Sequence, residues 1–178
     1  MSSQLRVDKI VPVDGAPTGG GGGIIQVVST TFTGTWSGSS GSNTWDTVTD
    51  LNTAITPKFS TSKIFIMLFI GSWDSNGSDQ RGGIRLLRDS TAICIGNAAS
   101  NRQRSTASTV GSNANTDTNG GLHVNFLDSP ATTSAVTYKV QSMTEGSYIT
   151  YINRSSSDAD STTINRTAST MTLMEVSA

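Results

Sequence analysis

Residues 63–73 read Lys-Ile-Phe-Ile-Met-Leu-Phe-Ile-Gly-Ser-Trp and contain the one unbroken run of large apolar side chains, Ile64 through Ile70. As a strand, this run points Ile64, Ile66, Leu68 and Ile70 one way and Phe65, Met67 and Phe69 the other. An antiparallel strand with one wet face alternates apolar and polar residues. This one does not, so both faces need cover. One set is expected to line the chain's own core. The other needs a second layer or a second chain. Leaving Phe65, Met67 and Phe69 in water would forgo about 1.5–3 kcal/mol of burial per side chain and expose an apolar patch fit for interaction.

The rest of the chain is poor in such material. Of 178 residues, 34% are hydrophobic and only 14% charged, with a net charge of −1. Disordered chains combine low hydrophobicity with high net charge, and this one lacks the charge. A β-rich domain with Ser, Thr, Asn and Gly in its loops fits better, with a thin core that oligomerisation would supplement. The length suits one domain with an appendage.

The appendage lies at the N-terminus. Leu5, Val7, Ile10 and Val11 stand among charged residues, and Pro12 and Asp14-Gly15 then interrupt any regular element. Gly19 to Gly23 are five consecutive glycines, which lose too much backbone freedom on ordering to form an element cheaply. Residues 1–23 are therefore expected to be a docking segment and a joint, and residues 24–178 a β domain.

Strands are expected over residues 24–28, 45–51, 53–56, 63–73, 84–87, 92–95, 122–127, 135–143, 148–152 and 171–176. Residues 29–43 read as a loop or weak hairpin carrying Trp36, and 74–83 as a polar turn. A hairpin is expected across Arg88-Asp89-Ser90-Thr91. Residues 96–121 form a polar insertion longer than an ordinary loop. No window shows helical periodicity over three turns. Short strands at regular spacing indicate a jelly-roll-like antiparallel β-sandwich.

Chemistry is sparse. His123 is the lone histidine and Cys94 the lone cysteine. No nucleophile-elbow motif occurs, and cysteine–histidine metal spacing is impossible. Cys94 is expected to act as a small buried hydrophobe. Asp74 to Asp79 superficially resembles a calcium loop but lacks the later glutamate, so it and the Asp158/Asp160 pair read as turns. No cofactor, metal or enzymatic activity is expected. With a pI near 5.7 there is no electrostatic footprint for nucleic acid. The local basic cluster, Arg102-Gln103-Arg104, sits in a polar loop. No apolar run is long enough for a membrane-spanning helix, so no membrane insertion is expected. Nor does the start of the sequence show a signal-peptide apolar region. One internal echo stands out. Ile152-Asn-Arg-Ser155 returns as Ile164-Asn-Arg-Thr167. If the copies face each other, Arg154 and Arg166 come close and need a carboxylate or a subunit neighbour between them.

Several stretches, taken in order, resemble the tail-fibre-like and related virion proteins of marine phages, especially cyanophages. They are Leu5-Arg-Val-Asp-Lys-Ile-Val-Pro12, Ile55-Thr-Pro-Lys-Phe-Ser-Thr-Ser-Lys-Ile64, Phe126-Leu-Asp-Ser-Pro130 through Tyr138-Lys-Val140, and Tyr151-Ile-Asn-Arg154 with Arg166-Thr-Ala-Ser-Thr-Met-Thr-Leu-Met-Glu-Val176. The resemblance implies a compact β domain, a homotrimer and a structural or host-recognition role on a virion, in the tail or on the capsid surface. Within this sequence only the glycine joint separates the two parts. That points to a short fibre or knob, or to a capsid decoration protein, and a polysaccharide-degrading tail enzyme is the more remote alternative.

On this reading Leu5, Val7, Ile10 and Val11 dock on another virion protein. Phe65, Met67, Phe69, Met171, Leu173 and Met174 are candidates for subunit packing at a threefold contact. Arg102, Arg104, Asn115 and Asp117, with the turn at 155–161, are candidates for contact with a host surface glycan.

Overall fold

The computed structural model of the chain describes residues 23–38, 43–77, 81–109 and 120–177. Eleven strands occupy them: β1 (Ile24–Phe32), β2 (Trp36–Gly38), β3 (Asp46–Ile55), β4 (Lys63–Ser75), β5 (Gly82–Arg88), β6 (Thr91–Ile93), β7 (Ala107–Thr109), β8 (Gly120–Asp128), β9 (Val136–Thr144), β10 (Thr150–Ile152) and β11 (Ser169–Val176). There is no helix among the described residues.

All pairing is antiparallel and divides the strands between two sheets. In the six-stranded sheet β4 is central. β8 lies along one of its edges; β11 and then β10 share the other, with β1 outside β11 and β2 outside β10. The five-stranded sheet runs β3-β9-β5-β6, with β7 also on β5. β1 pairs with β11, β3 with β9, β4 with β8 and, over three residues, β5 with β6, while β11 with β4 and β9 with β5 join these ribbons into the two sheets. First pairs with last, and each later strand pairs further inward, as in a long hairpin rolled into two sheets. That is the jelly roll, and closing the sandwich this way limits free edges.

Burial follows the two-residue period. Ile64, Ile66, Leu68 and Ile70 are essentially inaccessible. They meet Val48, Leu51 and Ile55 from β3, Ile84 and Leu86 from β5, Val136, Tyr138 and Val140 from β9, and Met171 and Leu173 from β11 in one core. Polar pairs tie the layers. The Trp73 indole donates to Ser142 Oγ at 2.8 Å, and the Ser75 and Thr144 hydroxyls are 3.0 Å apart. The Tyr138 hydroxyl donates to Asp128 at 2.7 Å, and Arg88 holds both oxygens of that carboxylate at 2.9 Å.

Several boundaries differ from the sequence reading, each for a local reason. The segments expected at 45–51 and 53–56 are a single strand, β3. Its buried positions step from Val48 by three to Leu51, then by two to Thr53 and Ile55. The register slips between Thr47 and Asn52, a bulge closed by Asn52 Nδ2 donating to Thr49 O at 2.6 Å. β1 runs on past Val28 to Phe32 because Ser29, Thr30 and Thr31 pair with β11 without any apolar signal. Asp74 and Ser75, read as the start of a turn, belong to β4. The Arg88–Thr91 hairpin is present, with Asp89 at φ 53° and Arg88 opposite Thr91. The insertion contributes β7. Cys94 follows β6 in a bend, half-buried and not in the core, and burial raises its thiol pKa.

Candidate functional site

The registers place side chains in rows across the outer face of the six-stranded sheet. Phe65 lies opposite Leu127 on β8 and Met174 on β11, and Met174 lies opposite Val27 on β1. The row Leu127–Phe65–Met174–Val27 is apolar across all four strands. In the next row are Asn125, Met67, Thr172 and Ser29, and in the third His123, Phe69, Thr170 and Thr31. Met67, Leu127 and Val27 are 42%, 46% and 56% exposed, and Ile24 and Ile25 extend the patch at the start of β1. Scattered surface apolar residues mean little, but a contiguous band marks an interaction surface. His123, expected to be a structural or surface residue, stacks on Phe69 with ring centroids 4.6 Å apart.

Four of the six packing candidates thus share this face: Phe65, Met67, Phe69 and Met174. Met171 and Leu173 do not. They alternate with Met174 on β11 and are wholly enclosed in the chain's own core, so they are corrected from surface to core residues. Leu127, Val27 and Ile25 were missed. The alternation of residues 122–127 and 24–28 was their available signal, but it needed the pairing partners to show which side was bare.

The other end of this face is covered by residues 153–168. Asn153, fully buried with φ 64°, donates from Nδ2 to Phe32 O and Gly34 O, both at 2.9 Å. Its Oδ1 accepts from Ser169 Oγ at 2.6 Å. The buried Asp74 carboxylate accepts backbone N–H groups from Ser75 and Ser156, both at 2.7 Å. Asp74 therefore anchors this segment and is not a turn ligand. The chain entering β11 passes so close to Gly71 that a side chain there would collide with Ala168 O and Thr167.

The repeated Ile-Asn-Arg segments do come together. Thr167 N donates to Asn153 O at 3.3 Å. Asp158 is the shared carboxylate, 2.7 Å from Arg166 Nη2 and 3.5 Å from Arg154 Nη1. Arg154 also lies over the Tyr151 ring at 4.6 Å. Asp158, Asp160 and Arg166 line a shallow cavity of about 360 Å³.

Elsewhere the basic pair is turned to its own loop. Arg104 Nε donates to Gly96 O at 2.7 Å and Arg102 Nη1 to Ala99 O at 3.5 Å, so both brace the insertion. Asn115 and Asp117 lie outside the described residues, as do Leu5, Val7, Ile10 and Val11. Among the described residues no group of three His, Cys, Asp or Glu side chains is placed to hold a metal ion.

No family model matches the chain, and no curated protein matches it.

Proposed function

We propose that the chain is a phage virion structural protein, a short trimeric fibre or knob that displays its β domain for host-surface recognition. The observation that carries this is the apolar row Leu127–Phe65–Met174–Val27, which with Met67, Ile24 and Ile25 gathers every exposed large apolar side chain among the described residues except Phe59. Copies packed through this face supply the cover that the second set of β4 side chains needs. The ordered resemblances at residues 5–12, 55–64, 126–140 and 151–176 support the virion role and the threefold assembly. Residues 1–13 dock on a larger virion component, and the glycine joint separates docking from display.

Capsid decoration without a receptor is the second reading, favoured by the short joint in place of a shaft. Antibodies raised against the β domain and imaged on assembled particles separate the two. Labelling at the tail is expected; labelling confined to the shell establishes decoration instead. Deleting residues 1–13 is expected to abolish incorporation while leaving the β domain folded.

A further inference from the structure

The outer face of the five-stranded sheet carries a second feature. Gly83 on β5 lies between Met143 on β9 and Ser108 on β7. Beside Gly82 and Gly83 lies a notch of about 290 Å³, lined also by Arg81, Gln103, Met143 and Glu145, at the small end of ligand cavities. A Cβ on Gly83 would crowd Ser105 Cβ at 3.1 Å, Ala107 O at 3.2 Å and the Trp45 ring at 3.4 Å, so the glycine lets the notch wall pack close against the β5 backbone. The floor is that backbone beside Met143.

The rim is polar. Arg81 pairs with Glu145 at 3.4 Å. Gln103, the middle residue of the basic cluster, accepts the Trp45 indole N–H at 3.2 Å and donates to Asn43 O at 3.4 Å. Arg85 lies 4.5 Å from the Trp45 ring centre and is itself held by Gln141 Oε1 at 2.6 Å. The Gln103 amide is thus held in place before any ligand arrives, which lowers the cost of binding.

The chemistry selects among ligand classes. A free anion is disfavoured because Glu145 neutralises Arg81, and a metal ion would meet one carboxylate. A pyranose ring matches both parts. Its C–H face suits the glycine and methionine floor. Its vicinal hydroxyls can accept from the guanidinium and donate to the carboxylate. We propose that this notch is a subsite for one uncharged pyranose residue of a surface polysaccharide. This locates the glycan contact of the display role, on which it rests, at Gln103, Arg81 and Glu145, whereas Arg102 and Arg104 hold the loop.

Saturation-transfer NMR on the full chain tests this with methyl α-glucoside, methyl α-mannoside and methyl β-galactoside. Transfer to the ring C–H protons of at least one is expected. Gln103→Ala and Arg81→Ala are each expected to weaken it at least about tenfold. Arg81 is 72% exposed, so its removal leaves folding intact and decides the matter should Gln103→Ala disturb the loop. Absence of transfer from all three glycosides overturns the proposal. So does transfer that both variants retain, or displacement by equimolar sulfate. Particle labelling is independent of this result, so failure of the subsite and failure of the virion reading are distinguishable.

Discussion

Asn153 bonds Phe32 O, Gly34 O and Ser169 Oγ from a left-handed backbone position. Its amide joins the end of β1, the segment after β10 and the start of β11. Asn153→Ala leaves two carbonyls without their donor and puts a residue without a local side-chain bond at positive φ. A loss of about 3 kcal/mol is expected, read as a lower urea midpoint at unchanged m-value. Tyr138 gives a second residue-scale test. Burial first, and then its bond to the Asp128 carboxylate, hold its phenol pKa well above the ordinary range. The folded chain keeps this proton while the unfolded chain releases it near pH 10. The contribution is fully present below pH 10 and falls as pH rises through the alkaline range. Denaturant midpoints between pH 8 and 11 should therefore decline less steeply in Tyr138→Phe, which has no phenol to ionise.

At the scale of the element, β4 carries the two environments that its apolar run requires. Ile66→Ala opens a cavity in the closed core and is expected to cost about 2–5 kcal/mol. Met67→Ser, one residue along, is expected to change the stability of a single chain by less than about 0.5 kcal/mol. Equilibrium unfolding of the two variants at low protein concentration checks the contrast. The two sets were legible in the sequence because a strand sends alternate residues of an unbroken apolar run to opposite faces. Which side faces inward was not, since that depends on what β8, β11 and β3 place opposite; hence Met171 and Leu173 were expected on the wrong side. β3 was read as two strands parted at Asn52, and only its pairing with β9 shows one strand carrying a bulge there. The end of β1 was hidden because Ser29 to Thr31 pair through backbone groups. The notch beside Gly83 left little trace, because its lining comes from residues distant in sequence. The Arg154–Arg166 convergence was legible, because the repeated segment fixed the pair and charge demanded the carboxylate that Asp158 supplies.

For the whole molecule, the rolled pairing leaves two outer faces of different character. One is apolar across four strands at one end and sealed by residues 153–168 at the other. The other bears the polar notch. In the proposed assembly, copies packed through the first face leave the second to solvent, so that assembly and recognition would not compete for surface. In the proposed trimer, β4's outer side chains are covered by other copies of the chain. Multi-angle light scattering of the full chain and of Met67→Glu tests it most directly. The expected result is a particle of three chains for the unaltered protein and a folded single chain of 18.6 kDa for the variant. A stable 18.6 kDa particle for the unaltered protein, or a Met67→Glu variant that still forms the full assembly, would contradict it.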